Sequence, residues 1–296
     1  MKRRKAYGLP YKGSKNRIAE WVVDNLPSAD TLVDLFAGGC AVTHCAMLSG
    51  KFKRVIANDI SDAPEVFARA VNGDIDVSGF PLTREQFKAS TDTLSRLVYS
   101  FGNDQRSYIY SSEREDVCIA AERMMYGVTV TDRYAAYKVF IRALSRYLQC
   151  GNNLDRKVSE LQAIENINRL QAIERVTRLQ NIHGACRVAV LEASRCDYRN
   201  FDVPAGSTVY ADPPYKGTTI SQYGVGFDYD AFENWLAEVD FPVFVSEYTC
   251  PRGCVEIASR VSHSLADHSN SRRVVESLFV QERFYDSVVA GGHDEE

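Results

Sequence analysis

Short apolar runs alternate with segments of helical apolar spacing along the amino-terminal part of the chain. The runs predict strands at Thr31–Phe36 and Arg54–Asn58, and the spacing predicts helices at about Ala41–Ser49 and Ala63–Asn72. An earlier helix, capped by Ser14, is expected to stop at Pro27. This alternation of strand and helix favours a parallel sheet with helical crossovers.

The middle of the chain changes to a helical pattern. Two capping-box patterns, Thr83-x-x-Gln86 and Ser112-x-x-Glu115, predict helix starts, and a third helix is expected at about Asp132–Gln149. The alternation then returns, with strands expected at Arg187–Leu191, Thr208–Ala211, Pro242–Ser246 and Val274–Gln281 and a helix near Tyr229–Val239. The sequence therefore predicts an α/β fold, with a Rossmann-like sheet domain (1–75 and 185–296) interrupted by an inserted, mainly helical lobe (76–184).

A nonapeptide repeat occupies residues 160–182, where Arg169–Thr177 restates Glu160–Asn168. Within the repeat an apolar residue recurs at every third position, from Leu161 to Ile182. Three residues turn an α-helix by ~300°, so this stripe would wind around a helix instead of holding one face. Composition favours a helix and periodicity favours an extended or solenoid-like segment, and both conformations stay open. A packing or spacer role without ligand contact is the favoured interpretation.

Composition narrows the class of protein. The chain has 296 residues and a formal net charge of −4, so any surface for nucleic acid must be local. The basic run at Lys2–Lys5 is followed by no apolar signal core, and no apolar stretch approaches the ~18 residues of a membrane span. We therefore expect a soluble, cytoplasmic protein with reduced cysteines. The nearest metal pattern, Cys250 and Cys254 with His263 and His268, is too tightly spaced for a zinc finger, and no metal is expected.

The tetrapeptide Asp212-Pro213-Pro214-Tyr215 follows the predicted strand Thr208–Ala211. Two prolines prevent the chain from continuing as strand or helix, and they hold Asp212 in extended geometry. This places the carboxylate at the carboxyl edge of the sheet, where open α/β sheets bind ligands. On the tetrapeptide alone, an ordinary proline turn is an equal alternative.

The first strand also ends in a pattern suited to a ligand. Gly38-Gly39 allow close approach to the backbone, and Asp59, 21 residues after Gly38, ends the second strand, where an acid can accept hydrogen bonds from ribose hydroxyls. The G-x-G-x-x-G pattern of pyrophosphate cofactors is missing. The residues therefore favour a nucleoside ligand without phosphates.

Together these segments resemble the Dam-like DNA adenine-N6 methyltransferases, most closely the phage and prophage members. The resemblance spans about Tyr7 to Gln281, except for the central lobe, and rests on ordered motifs: Tyr11-x-Gly13-Ser14-Lys15, Asp34-Leu35-Phe36-Ala37-Gly38-Gly39, Asn58-Asp59, Cys196-Asp197-Tyr198 and Asp212-Pro213-Pro214-Tyr215. It implies an S-adenosylmethionine-dependent methyltransferase that acts on double-stranded DNA and releases S-adenosylhomocysteine. The target adenine would be flipped out of the duplex and methylated directly.

The resemblance also implies residue roles. The S-adenosylmethionine site would comprise Tyr11, Lys15, Asp34, Phe36, Gly38, Asp59, Asp197, Tyr198 and Asp212. Catalysis would fall to Asp212 and the Pro213 carbonyl, which accept the adenine amino hydrogens, and to Tyr215, which stacks on the base. Basic residues proposed to contact DNA are Lys12, Arg142, Arg146 and Arg272.

The sequence also departs from the family. After Arg146-Tyr147 the usual recognition segment is replaced by Gly151-Asn152-Asn153 and the repeat, so no DNA recognition sequence can be carried over. Ser246-Glu247-Tyr248 stands where relatives often have Ser-Asn. An RNA adenine methyltransferase and an inactive DNA-binding or masking protein stay open as alternatives. Oligomeric state and an associated nuclease are not predicted.

Overall fold

The structure, a computed structural model, describes residues 6–147, 171–182, 190–216, 226–264 and 272–290. The chain divides into two compact units. Unit 1 consists of Met1–Gly8, Gly13–Val71 and Gly184–Glu296, and unit 2 of Leu9–Lys12 and Asn72–His183. The domain limits drawn from the sequence stay a prediction.

Unit 1 is built on a seven-stranded sheet of order β3-β2-β1-β4-β5-β7-β6. The strands are β1 Thr31–Asp34, β2 Arg54–Asp59, β3 Val190–Arg195, β4 Thr208–Ala211, β5 Val243–Glu247, β6 Cys254–Ser264 and β7 Arg272–Gln281. Strands β3, β2, β1, β4 and β5 are parallel, and β7 is antiparallel to both β5 and β6. The predicted Rossmann-like α/β fold is confirmed.

Helices follow the strands of unit 1 and make up most of unit 2. In the described part of the chain they are α1 Ala19–Asn25, α2 Ala41–Ser49, α3 Ala63–Asn72, α4 Arg84–Ala89, α5 Thr93–Tyr99, α6 Glu115–Tyr126, α7 Val130–Tyr147, α8 Gln171–Ile182, α9 Tyr229–Glu238 and α10 Tyr285–Ala290. The single helix expected after Ser14 is instead a 3-10 turn, Lys15–Arg17, followed by α1.

The core of the sheet lies at its centre. Val33, Val209 and Val243 are fully buried and pack with Phe232 and Leu236 of α9. Burial of both faces explains why these strands read as continuous apolar runs. The strand order reverses between β1 and β4, and the carboxyl edge at such a switch point is open to ligands.

Two strands outside the centre differ from expectation. The strand predicted at Arg187–Leu191 lies at Val190–Arg195, because this half-exposed edge strand carries polar side chains and has no apolar run; residues 187–189 lie outside the described residues. Strand β6 was missed, although it pairs along β7 from Cys254 to Ser264. Of the four residues of the metal-like pattern, Cys254 and His263 lie in this strand and Cys250 precedes it, while His268 lies outside the described residues.

Unit 2 confirms the first capping box and not the second. The Thr83 hydroxyl accepts a hydrogen bond from the Gln86 amide (3.2 Å), and the Gln86 side chain accepts one from the Thr83 amide (2.8 Å). Helix α6 begins instead after Arg114, with no side-chain cap, so the cap predicted at Ser112 is wrong. The N-cap position of α6 is held by Arg114, which has helical backbone angles instead of the extended ones usual there, so Ser112 does not stand at the N-cap.

The carboxyl-terminal half of the nonapeptide repeat forms α8, while residues 160–170 lie outside the described residues. The recurring apolar residues Ile173, Val176, Leu179 and Ile182 are all buried. Three residues turn an α-helix by ~300°, so each of these positions lies ~60° around the helix from the previous one, and the four together cover about half of its surface. Arg175 donates to the Val98 and Ser100 carbonyls (2.6 and 2.7 Å) and fastens α8 to the end of α5.

Candidate active site

Three carboxylates of unit 1 lie where parallel strands end. Asp34 ends β1, Asp59 ends β2, and Asp212 follows β4 directly. Asp34 is opposite Tyr210 in the β1–β4 register, two residues before Asp212. Asp34 is close enough to both other carboxylates for their charges to raise its pKa. The predicted acids therefore meet at the switch point of the sheet.

The Asn58 side chain ties three strand ends together. Its amide donates to the Leu35 carbonyl after β1 (3.1 Å) and to the Cys196 carbonyl after β3 (3.0 Å). The backbone carbonyl of Asn58 accepts a further hydrogen bond from the Ala37 amide (2.8 Å). The edge that carries the acids is thus fixed by hydrogen bonds from a buried side chain.

Asp59 holds the glycine turn. One carboxylate oxygen accepts from the Gly38 amide (2.9 Å), and the other accepts from the amide and hydroxyl of Ser61 (2.8 and 2.7 Å). Gly38 has a φ of +46°, in the left-handed region that favours glycine. A carboxylate accepts about four hydrogen bonds, so Asp59 keeps capacity for a ligand hydroxyl.

The segment before the first helix crosses this turn closely. Gly8 has a φ of +66°, and a Cβ atom there would lie 2.2 Å from the Gly39 carbonyl oxygen. The Gly8 amide also donates to Nδ1 of His44 in α2 (3.0 Å). Sequence analysis missed Gly8; a glycine near the motif was the available signal.

Asp34 is buried and only partly satisfied. Its Oδ2 accepts from the Thr43 hydroxyl (2.7 Å), whereas Oδ1 has no hydrogen-bond partner among the described residues. Burial raises the pKa of Asp34 to about 7, the Thr43 hydrogen bond opposes this, and Asp212 and Asp59 add to it. A cation or a donor placed here would relieve the cost of this buried oxygen.

Asp212 is paired with a lysine from the amino-terminal motif. Lys15 Nζ lies 2.9 Å from Asp212 Oδ1 and 3.4 Å from Glu276 Oε1 of β7. Burial raises the pKa of Asp212 to about 6, with Lys15 lowering it and Glu276 raising it. Burial lowers the pKa of Lys15, but the two carboxylates outweigh burial and hold that pKa above its usual range.

The tyrosine of the proline motif is enclosed. Tyr215 is 7% exposed, with Lys15 Nζ 4.2 Å from the ring centroid and the Tyr248 ring edge-on at 4.5 Å. Its hydroxyl donates to Glu276. Stacking of Tyr215 on a base therefore requires a neighbour to move. The next residue, Lys216, donates its amide to Glu247 (2.7 Å), which fixes the loop.

An aromatic cluster lies beside the glycine turn. Phe36 packs against Tyr198 (ring centroids 5.0 Å apart) and against Phe227 and Phe232. Asp197 is held by Arg199, whose guanidinium donates to both carboxylate oxygens (2.9 and 2.6 Å). Of the residues predicted for the adenosyl part of the donor, Phe36 and Tyr198 are thus brought together.

The remaining predicted residues belong to unit 2 or have side chains outside the described part of the chain. Tyr11 and Lys12 belong to unit 2, where Tyr11 is buried and Lys12 exposed. Arg142 is exposed on α7. Arg146 and Arg272 have a described backbone, on α7 and at the start of β7, and their side chains lie outside the described part. All of these roles stay predictions.

Sequence analysis missed Glu276 and the loop contact of Glu247. Glu276 is 4% exposed within β7, and Glu247, which ends β5, is 5% exposed. A glutamate inside an apolar strand, as in Val274-Val275-Glu276, was the available signal for the first.

Comparison with known proteins identifies the family of this chain. The family of D12 class N6 adenine-specific DNA methyltransferases matches residues 11–251, most of the chain. The protein therefore belongs to this family, which confirms the resemblance, the fold class and the enzyme class expected from sequence. The phage or prophage assignment stays a prediction.

A curated relative is similar over a shorter stretch. The Type II methyltransferase M2.HphI of Haemophilus parahaemolyticus is 45% identical over 51 residues. These residues are 17% of this chain and 15% of that protein.

Within the described residues there is no helix long and apolar enough to span a bilayer, and no group of three or more side chains suited to a metal ion.

Proposed function

We propose that this protein transfers a methyl group from S-adenosylmethionine to N6 of adenine in double-stranded DNA. The observation that carries the proposal is the position of Asp212, which follows β4 into Pro213-Pro214-Tyr215 at the same sheet edge as Asp34 and Asp59. Family membership supplies the reaction, and this edge supplies a place for it.

The acids at the edge fit the methyl donor. S-Adenosylmethionine carries a positive sulfonium and an ammonium group, which suit a site whose buried acids repel one another. The unsatisfied Asp34 Oδ1 can accept from the ammonium, and Asp59 can accept from a ribose hydroxyl. Phe36 and Tyr198 offer apolar surface for the adenine ring. When bound, the donor supplies an electrophilic methyl group.

The chain's own residues would make the adenine amine nucleophilic. The lone pair of that nitrogen is delocalised into the ring, so hydrogen bonds that favour a pyramidal nitrogen expose it. Asp212 can accept one amino hydrogen and the Pro213 carbonyl the other. With a pKa of about 6, Asp212 is ionised at neutral pH and can also accept the proton that the nitrogen loses. Alignment of the two reactants supplies the rest of the rate enhancement.

Access to the amine requires extrusion of the base, at a cost of a few kcal/mol. We propose that phosphate contacts from Lys12, Arg142, Arg146 and Arg272 offset part of this cost. The direct transfer includes no metal ion, because the sulfonium itself is the electrophile. A cytoplasmic location stays a prediction.

The test is transfer of labelled methyl to genomic DNA, followed by sequencing that detects N6-methyladenine. Asp212→Ala is expected to lower transfer by on the order of 10³-fold or more. Because the variant also removes one partner of a buried ion pair, its thermal unfolding midpoint is measured to show that it is folded in the assay. Asp202→Ala, an exposed acid before β4, is the matched control and should retain the wild-type rate.

Each alternative predicts a different result. Transfer to an RNA oligomer but not to duplex DNA would change the substrate. Absence of donor binding in calorimetry, together with salt-sensitive DNA binding, would indicate an inactive DNA-binding protein. Normal transfer by Asp212→Ala would refute the assignment of the site.

A further inference from the structure

A second buried carboxylate shares the contacts of the catalytic motif. Glu276 reaches the site from β7 and lies 3.4 Å from Lys15 Nζ, which also contacts Asp212 at 2.9 Å. The Tyr215 hydroxyl donates to the same Glu276 oxygen. Glu276 therefore touches both Lys15 and Tyr215 at once.

The direct methyl transfer does not use Glu276. Burying a carboxylate is costly unless it is paired and hydrogen-bonded, and Glu276 is only 4% exposed. The two bonds it makes both lead to side chains that contact or adjoin Asp212. A purely structural carboxylate has no need to converge on the motif in this way.

We propose that Glu276 is a positioning residue for methyl transfer, acting through Lys15 and Tyr215. By sharing the Lys15 ammonium, it keeps Asp212 from being fully neutralised by its ion pair, so that Asp212 remains a strong acceptor for the adenine amine. By accepting from the Tyr215 hydroxyl, it fixes that ring beside Lys15. The proposal rests on the role of Asp212 given above.

The charges around Asp212 come from several elements. The titratable groups that influence it are Lys15, Asp34 of β1, Tyr210 of β4, Tyr215, Tyr248 after β5 and Glu276 of β7. Arg260 of β6 is opposite Glu276 in the strand register. Among these groups, Lys15 is the cation in direct contact with Asp212, so the division of its charge between Asp212 and Glu276 sets how strongly Asp212 is neutralised.

The experiment compares pH profiles of single-turnover transfer to duplex DNA. Glu276→Gln keeps the size of the side chain and an oxygen for Tyr215 but removes the charge. Lys15 then pairs with Asp212 alone, so the acid limb of the profile should move to lower pH by about one unit. The plateau rate should fall about tenfold, with no change in the enzyme concentration that gives half the maximal single-turnover rate.

Three further variants keep the result interpretable. Glu276→Asp restores the charge and should return the acid limb towards its wild-type position, even if the rate stays low. Glu192→Gln, which removes an exposed glutamate paired with Arg54, is the matched control and should leave the profile unchanged. Asp212→Ala tests the underlying site separately.

The outcomes are distinct. If Asp212→Ala is inactive but Glu276→Gln has the wild-type acid limb, Glu276 is a structural residue and the inference is wrong. If Asp212→Ala retains transfer, the proposed site itself fails. Should Glu276→Gln fail to fold, Glu276→Asp decides the question through its rate: the shorter side chain cannot keep both the Lys15 and the Tyr215 contact, so a wild-type plateau in the folded variant would overturn the positioning role.

Discussion

Removal of the Lys15 ammonium should move the activity of the enzyme to higher pH. Lys15 Nζ is 2.9 Å from Asp212 Oδ1, and its side chain is 14% exposed, so water screens the pair weakly. An opposite charge this close lowers a carboxyl pKa by about 1–3 units. In Lys15→Met we therefore expect the pKa of Asp212 to rise from about 6 to roughly 8.

The consequence for rate follows from the ionised fraction. At pH 7 a carboxyl with a pKa of about 6 is ~90% ionised, and one with a pKa of roughly 8 is ~10% ionised. Because the ionised form is the acceptor, single-turnover transfer at pH 7 should fall about tenfold and recover towards pH 9. This direction is opposite to that expected for Glu276→Gln.

The assay is transfer of labelled methyl to duplex DNA from pH 5.5 to about 9.5, the span over which both states titrate. Lys15→Arg preserves the charge, and its acid limb should stay near that of the wild type. Loss of one partner of a buried pair costs about 3–5 kcal/mol, so unfolding midpoints are measured at each pH. An acid limb in folded Lys15→Met that coincides with the wild type would refute the electrostatic reasoning.

Two further predictions concern stability. Gly8→Ala should lower the free energy of unfolding by more than about 2 kcal/mol and reduce donor binding, because its Cβ would clash with the Gly39 carbonyl. The control is Gly13→Ala, where φ is +76° and the space is open, so only the ~1–2 kcal/mol of left-handed strain should be lost. Equal losses of the two variants in chemical denaturation would contradict this reasoning. Burial raises the pKa of Glu122 on α6 from 4.5 to about 7, so between these pH values the folded protein binds a proton that the unfolded chain does not. The free energy of unfolding should therefore fall by about 3 kcal/mol as the pH rises from 4.5 to about 7. Glu122→Gln should remove this pH dependence of stability, and an unchanged pH dependence in the variant would count against the prediction.

The central strands and the acidic edge could be predicted because each carries a local signal. Strand β4 is a short apolar run ended by two prolines, and Asp34 and Asp59 follow apolar runs in the same way. Parallel strands bring their carboxyl ends to one edge, so local patterns were enough to place three distant carboxylates together.

The missing parts depend on contacts between distant segments. Residues 254–261 of β6 are half-buried or exposed and mix polar with apolar side chains, so local sequence does not indicate a strand; its pairing with β7 does. Glu276 lies 64 positions after Asp212 in the sequence, and nothing local indicates that β7 would turn its carboxylate towards Lys15. The described half of the repeat is helical because its broad apolar surface is covered within unit 2, which no periodicity count could show.

The amide of Asn58 limits how this pocket can change during evolution. Because Asn58 links the ends of β1, β2 and β3, no one of these strand ends can move away from the others without breaking a buried hydrogen bond. New preferences for target sequence should therefore accumulate in unit 2 and in the loops after β4 and β5. The strand ends themselves should tolerate little variation.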